Sequence, residues 1–163
     1  MNKRIVYRPI GWVYNQVAGP RYSDWGDVIS DIVLDDELSP ALAGIEEFSH
    51  LMILFHISGL TPKQRALLHL HPGDRQDAPD VGVFATHSQY RPNPIGVTVV
   101  QLLGREGNRL RVAGLDAYDG TPVLDIKSFF PDADLVEEAR IPEWMQRIWR
   151  ERDEAERKSP AQS

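Results

Sequence analysis

The sequence predicts a mostly β fold, arranged as a small antiparallel barrel or a sandwich. Short apolar runs of strand length recur along the chain and are separated by turn residues. The 163 residues include twelve Gly and twelve Pro, which is more than a helical bundle tolerates. A chain of this length buries one core, so one domain is expected. A barrel would also remove the exposed edges of a sheet.

The first part of the chain contains three strand candidates, at residues 5–13, 29–34 and 51–57. The third of these, LMILFHI, is almost continuously apolar, which is typical of a strand buried on both faces. We therefore expect it to be the central strand. Before it, Ser39 followed by Pro40 predicts a short helical turn that ends at Gly44.

The middle of the chain alternates strand candidates with turns. Thr61 and Pro62 predict a helix over residues 62–67, and the alternation at 69–71 predicts a short strand. Four further strand candidates follow, at residues 81–85, 95–103, 109–115 and 123–126. The last three are joined by Gly107-Asn108 and Asp119-Gly120, and the second of these turns is a strong signal.

The C-terminal segment predicts a helix that begins near Pro142. Its apolar residues recur at the spacing of one helix face, at Ile141, Trp144, Met145 and Ile148. After Arg150 the chain is polar and low in apolar residues, as in a tail. We therefore expect a barrel domain over residues 1–135 and a C-terminal helix with a polar tail over residues 136–163.

Composition excludes several classes of function. Without Cys there is no disulfide framework and no thiol nucleophile. A formal net charge of −6 does not give the positive field of a protein that holds nucleic acid by phosphate contacts alone. No long apolar segment predicts a signal peptide or a membrane span, so a cytoplasmic protein is expected. A Gly-rich phosphate loop between a strand and a helix is also absent from the sequence.

Arg91-Pro92-Asn93-Pro94 interrupts an alternating apolar pattern. Each Pro fixes its own φ and restricts the residue before it, so Arg91 and Asn93 lie on a stiff backbone. Gly96 then permits a positive φ or a close backbone approach. This segment is either a binding loop or a rigid connection whose Arg points into solvent.

Residues 115–122 combine two acids, a tyrosine and a tight turn, in the sequence LDAYDGTP. An ordinary turn, with Asp oxygens accepting from backbone amides, is the alternative to a binding site. The five histidines have no carboxylate at ligand spacing beside them, so no metal site is expected.

Residues 82–96 (GVFATHSQYRPNPIG) and 114–127 (GLDAYDGTPVLDIK) together resemble the TsaA-like (YaeB/VirR, TrmO-type) family. Residues 44–51 (GIEEFSHL) and Pro20-Arg21 match two further blocks, in order, within about residues 5–132. The resemblance implies a small antiparallel β-barrel, here with short helices and a C-terminal helix. It also implies a homodimer that binds S-adenosylmethionine. The characterised type methylates N6 of threonylcarbamoyladenosine at position 37 of tRNA.

The resemblance also implies a set of site residues. Cofactor contacts would fall on Pro20, Arg21, Tyr22, Ser58, Gly59, His87, Val97, Asp116, Ala117, Tyr118 and Asp119. Aromatic rings, acids and a cation are the groups that an adenine, ribose hydroxyls and a carboxylate require. Substrate contacts would fall on Arg91, Asn93 and Lys127. A local basic patch of Arg91, Arg105, Arg109, Arg111 and Lys127 would hold RNA, although scattered solvated charges explain these residues equally well.

The chain departs from the family in three places. His87 stands where the family usually has Arg, and histidine is uncharged over part of the physiological pH range. Ser58-Gly59 replaces bulkier polar residues of the family. Bacterial tRNA-modifying members carry an added C-terminal domain, where this sequence predicts one helix and a polar tail. Catalysis of methyl transfer can consist mostly of positioning the two reactants. A base could accept the proton lost from the target nitrogen, and His87, Tyr90 and Asp125 are the candidates. The alternatives are a non-catalytic S-adenosylmethionine sensor, a methyltransferase with another substrate and, more distantly, a metal-dependent hydrolase.

Overall fold

The computed structural model describes residues 4–19 and 25–158. Within these residues, antiparallel strands close into a barrel in the order β1-β2-β7-β6-β3-β8, and β4 and β5 form a separate ribbon. The strands are β1 Gly11–Tyr14, β2 Ile29–Leu34, β3 His50–His56, β4 His69–Leu70, β5 Val81–Gly82, β6 Ile95–Glu106, β7 Arg109–Ala113 and β8 Pro122–Ser128. The predicted barrel is confirmed.

Helices are short except at the C-terminus. The α-helices are α1 Pro62–Arg65, α2 Pro131–Asp134 and α3 Glu143–Lys158, and the 3-10 helices are Trp25–Asp27, Asp36–Leu42, Ile45–Glu47, Pro72–Asp74 and Val83–Ala85. Helix α1 begins with a reciprocal pair of hydrogen bonds between Thr61 and Gln64, which explains why Thr61-Pro62 is a helix start. In the described part of the chain, no helix combines the length and the apolar character needed to span a membrane.

The barrel core consists of the inward-facing residues of each strand. On β3 these are Leu51, Ile53 and Phe55, whereas Met52 and Leu54 point outward and are half-buried. The expectation that this segment is buried on both faces was therefore wrong. A strand of a small barrel has one face inside and one outside, so an apolar residue on the outer face remains partly exposed.

Two strand predictions were too long by three residues or more. The first strand begins at Gly11 instead of residue 5, because Pro9 has no N–H to donate to a sheet. At Gly11 the backbone of β2 is so close that a Cβ would lie 2.4 Å from the Val33 carbonyl oxygen. Strand β5 ends at Gly82, and the next three residues form a 3-10 helix.

Helix α3 begins where the sequence predicts and contacts the loop between β4 and β5 through ion pairs. Arg147 donates a hydrogen bond of 2.8 Å to the Asp77 carbonyl oxygen. Arg75 bridges Asp77 at 2.7 Å and Glu151 of the helix at 2.6 Å. These pairs hold the C-terminal helix against the segment that leads into β5.

Candidate functional site

Three connections between strands meet at one end of the barrel. The antiparallel register pairs the end of β3 with the start of β6 at His56 and Ile95, and the end of β7 with the start of β2. Residues 57–94 and 114–121, together with the described residues 15–19 and 25–28 of the first connection, therefore lie at the same end of the barrel. They surround a cavity of about 770 Å³, the barrel-end cavity, which is lined by Ala18, Trp25, Phe55, Ile57, Ser58, Gly59, His87, Ser88, Gln89, Arg91, Ile95, Gly96, Val97 and residues 116–121.

Aromatic side chains form one wall of the barrel-end cavity. The rings of Trp25 and Tyr118 lie 5.9 Å apart and are tilted by 47°. Phe55 contributes a third ring from the end of β3. A Cβ on Gly96 would lie 2.3 Å from that ring, so glycine is required here for a close approach. The wall offers flat apolar surfaces to a ligand ring.

Among the acids that line the cavity, Asp116 is the one whose pKa is shifted from its ordinary value. It lines the cavity, and its carboxylate accepts a hydrogen bond from the Thr98 hydroxyl. Burial of the carboxyl among protein atoms raises its pKa above the ordinary value. The bond from Thr98, a backbone hydrogen bond and the charge of His87 offset part of that rise. Asp116 therefore faces His87 with part of its hydration lost, which favours a hydrogen-bond donor from a ligand.

Asn15 fixes the loop that carries Asp116 and Tyr118. Its side-chain amide donates to the Ala117 carbonyl oxygen at 2.9 Å and to the Ser30 hydroxyl at 3.0 Å. Its own backbone N–H donates to the Asp119 carboxylate at 2.9 Å. The Asp119 carboxylate is thus held by Asn15, which directly follows β1, and this bond positions the loop.

The loop around Arg91 is held by its own side chains. Nη1 of Arg91 donates to the carbonyl oxygens of Thr86 at 2.8 Å and Ser88 at 3.2 Å. The Pro94 carbonyl oxygen accepts from Ile57 N at 2.8 Å, which ties this loop to the end of β3. Arg91 lines the cavity with its guanidinium partly committed to the loop, so the segment is a rigid wall of the cavity.

Most of the residues expected at a cofactor site line this one cavity. These are Ser58, Gly59, His87, Val97, Asp116, Ala117, Tyr118 and Asp119. Pro20, Arg21 and Tyr22 lie outside the described residues, although Ala18 and Trp25 on either side of that gap line the cavity. Contact with a ligand stays a prediction for all of them.

The residues expected to bind substrate are separated. Arg91 lines the cavity, whereas Asn93 and Lys127 are not among its described lining residues. Lys127 lies on β8 and pairs with Asp125 at 2.7 Å. Of the three candidate bases, His87 lines the cavity, while Asp125 is engaged by Lys127 and Tyr90 is bonded through its backbone N–H to Ser88.

The expected basic patch is largely engaged within the protein. Arg105 donates to the carbonyl oxygens of Leu42 and Gly107 at 2.9 Å each, and Arg109 pairs with Asp31 at 2.9 Å. These cations therefore stabilise the barrel and its neighbouring turns. Among the described His, Asp and Glu residues, no group of three is arranged to hold a metal ion.

Several site residues were missed at the level of sequence. Trp25, Phe55 and Ile57 line the cavity, but Trp25 begins a 3-10 helix of three residues and the other two lie at the end of an apolar run. Asn15 directly follows β1 and accepts a hydrogen bond from Val17 N at 2.9 Å, a local turn pattern typical of Asn. The sequence signal that could have identified Asn15 is a polar residue placed directly after a strand.

Comparisons with known proteins find relatives that match most of this chain. The chain is 38% identical over 136 residues to an S-adenosyl-L-methionine-binding protein of Archaeoglobus fulgidus, covering 81% of this chain and 94% of that protein. It is 44% identical over 97 residues to the tRNA (adenine(37)-N6)-methyltransferase of Mus musculus, covering 58% of this chain and 21% of that enzyme.

A solved structure has the same fold. The crystal structure of TrmO from Pseudomonas aeruginosa matches with a TM-score of 0.65 and 33% sequence identity, over 85% of this chain. This chain spans 62% of that crystal chain. Residues 14–135 match the family model described as the tRNA-methyltransferase O N-terminal domain. The chain therefore belongs to the tRNA-methyltransferase O N-terminal domain family, in agreement with the resemblance of residues 82–96 and 114–127.

Proposed function

We propose that this protein is an S-adenosylmethionine-dependent methyltransferase and that its acceptor is N6 of threonylcarbamoyladenosine at position 37 of tRNA. The observation that carries the proposal is the barrel-end cavity, which brings Trp25, Tyr118, Asp116 and His87 together from separate parts of the sequence. Family membership and the tRNA methyltransferase among the relatives support the choice of reaction and substrate. This substrate also favours a cytoplasmic location.

The residues of the barrel-end cavity fit S-adenosylmethionine. The tilted pair Trp25 and Tyr118 suits an adenine ring, since aromatic rings stack in offset or tilted arrangements. Asp116, with a carboxylate that is partly desolvated, suits a ribose hydroxyl or an ammonium group. The volume of about 770 Å³ is ample for a nucleoside-sized ligand.

The protein's own part in the reaction is to bind, to orient and to accept a proton. S-adenosylmethionine, held by residues such as Trp25, Tyr118 and Asp116, would supply an activated methyl group on a sulfonium; its thioether product would leave as N6 gained the methyl group and lost a proton. The rigid loops around Asn15 and Arg91 preserve the cavity shape, so the reactants meet in a fixed orientation. Among the described residues, His87 is the candidate base that lines the cavity, and we assign the proton to it.

Two measurements test the proposal. Isothermal calorimetry is expected to detect S-adenosylmethionine binding, and Tyr118→Ala is expected to weaken it. Tyr14→Ala is the matched control, because Tyr14 is an exposed tyrosine on β1 that does not line the cavity among the described residues. Absence of binding at millimolar ligand, or equal loss in both variants, would contradict the proposed site.

The acceptor is tested by mass spectrometry of tRNA nucleosides from a deletion strain. Loss of the methylated threonylcarbamoyladenosine, restored by the wild-type protein, is the expected result. The substitution of a histidine at position 87 favours one alternative, a module that binds S-adenosylmethionine without catalysis. Cofactor binding together with unchanged nucleosides would favour that sensor, or a methyltransferase acting on another substrate.

We also propose that the protein is a homodimer and that the outer face of β6 is the contact surface. Val97 and Val99 point outward and are 55% and 44% exposed. Their strand partners on β3, Leu54 and Met52, extend the same apolar surface. Contiguous exposed apolar surface is typical of an interaction site. Val97 also lines the barrel-end cavity, so a second subunit on this face would lie beside the cofactor.

A further inference from the structure

Phe84 is the most exposed of the described aromatic residues outside the N-terminal segment and lies close to the cavity. It is 77% exposed, in the middle of the 3-10 helix Val83–Ala85. The guanidinium carbon of Arg91 lies 5.9 Å from the centroid of the ring. Arg91 lines the barrel-end cavity, so the ring stands directly beside the cavity without being one of its lining residues.

The backbone on both sides of Phe84 is held firmly. Val83 is buried, and its N–H donates to the Leu68 carbonyl oxygen at 3.0 Å. Thr86 is buried as well, and its hydroxyl donates to the Val83 carbonyl oxygen at 2.9 Å. The short 3-10 helix therefore displays the Phe84 ring to solvent from a fixed position, in contrast to an aromatic residue on a free terminus.

Arg91 is fixed relative to the same ring. Its Nη1 hydrogen bonds to Thr86 and Ser88 hold the guanidinium in place, and the distance to Phe84 is within the range of a cation–π contact. An open aromatic face beside a fixed positive charge matches the base and the phosphate of a nucleotide. A nucleobase stacks on the ring, and the nearby phosphates are attracted by the cation.

We propose that Phe84 and Arg91 form a stacking platform for an unpaired base of the RNA that accepts the methyl group. This inference rests on the proposed function, because it places the acceptor RNA at the cavity that holds the methyl donor. The fixed positive charge of Arg91 beside the ring supports this occupant. A chain with a net charge of −6 gains little from general attraction to phosphates, so affinity for RNA must come from local contacts such as base stacking.

Steady-state methylation of an anticodon stem-loop RNA carrying threonylcarbamoyladenosine tests the platform. Phe84→Leu keeps an apolar side chain and removes the aromatic face. We expect it to raise KM for the RNA about tenfold, the loss that one base–aromatic stack produces, with kcat little changed. Phe84→Trp keeps the aromatic face and is expected to restore a KM near the wild-type value. Phe130→Leu removes another exposed Phe, from the segment after β8, and is the matched control.

The outcomes separate this inference from the proposed function. If the wild type methylates the RNA and Phe84→Leu leaves KM unchanged, the platform is wrong and the proposed function stands. A shift of Phe84→Leu to a smaller oligomer in sedimentation would also overturn the platform, since it would assign the ring to a protein contact. Failure of the wild type to bind S-adenosylmethionine would contradict the proposed function itself, whatever the Phe84 variants do.

Discussion

Asp116 shows how one residue of the site differs from an ordinary surface acid. Its pKa is raised mainly by burial of the carboxyl, so the folded protein favours the protonated form more than the unfolded chain does. Linkage then gives the sign of the effect on stability. As pH rises from the unfolded pKa through the folded pKa, the folded state loses stability, and at neutral pH the ionised carboxylate is a net cost.

Asp116→Asn is therefore expected to raise the melting temperature at neutral pH while weakening S-adenosylmethionine binding about tenfold or more. The neutral amide oxygen can still accept from Thr98, but it cannot make a charge-assisted bond to the ligand. Thermal denaturation and calorimetry measure the two effects. Asp35→Asn, at an exposed acid outside the cavity, is the control. A variant that loses both stability and affinity would assign Asp116 a structural role.

The pH dependence of ligand binding gives a second test of the same residue. Binding is expected to weaken as pH falls through the raised pKa of Asp116, at a higher pH than for an ordinary aspartate. His87→Ala removes the positive charge that lowers this pKa, so the pKa should rise further. Carbon NMR of the Asp116 carboxyl as a function of pH measures both. An unchanged Asp116 pKa in His87→Ala would show that the two side chains do not interact.

At the scale of elements, β6 carries a close contact between Gly96 and the Phe55 ring. Gly96→Ala would place a methyl group 2.3 Å from that ring, and Phe55 is buried. We expect a loss of about 1 to 3 kcal/mol in the free energy of unfolding, together with weaker cofactor binding, because the displaced ring lines the cavity.

Gly104→Ala is the matched control for Gly96→Ala on the same strand. A Cβ at Gly104 would meet no described atom within 4 Å, and its φ is not positive. Denaturation with urea is expected to find it unchanged or more stable by up to about 1 kcal/mol. Equal destabilisation of the two variants would mean that loss of glycine flexibility, and not contact with Phe55, is responsible.

The docking of α3 on the loop between β4 and β5 is expected to weaken at low pH. The Arg75 guanidinium, through its hydrogen bonds, lowers the pKa of Asp77 from 3.8 to about 2. A lowered folded pKa means that this stabilisation is present above pH 3.8 and is lost as pH falls toward 2. Because the groups are at the surface, salt should weaken the contact as well.

Amide hydrogen exchange of α3 measures this docking. Glu151→Gln removes the carboxylate that pairs with Arg75 and is expected to speed exchange in the helix, with little effect on the barrel. Glu154→Gln, at an exposed position of the same helix, is the control. Exchange in α3 that is equally slow in both variants would show that the helix is held by its apolar residues alone.

At the scale of the whole molecule, the proposed dimer surface predicts that a charged substitution on the outer face of β6 lowers the molecular mass of the protein in solution. Val99→Lys places a charge on the outer face of β6 and is expected to convert the dimer to a monomer, measured by sedimentation equilibrium. Ile29→Lys makes the same change on the outer face of β2, where 41% of the isoleucine is exposed, and should leave the mass unchanged. A wild-type monomer, or a Val99→Lys dimer, would contradict the proposed surface.

The β architecture, the C-terminal helix and the family could all be predicted from the amino-acid sequence. The strand periodicity and turn signals, such as Asp119-Gly120, are local properties, so they can be recognised without knowledge of the neighbours of a residue. Residues 82–96 and 114–127 also carry most of the predicted site, because these two segments are continuous in the chain. The cofactor residues predicted from them come together at one cavity.

Only the tertiary structure decided which side of a strand is buried and which side chains share a space. The outer face of LMILFHI is half-buried and not fully buried because the sheet closes into a barrel, which is a property of all six strands together. Asn15 and Trp25 join Asp116 and Tyr118 because antiparallel pairing brings distant connections to one barrel end. Such contacts depend on strand register across about a hundred residues of chain, and no local pattern encodes that register.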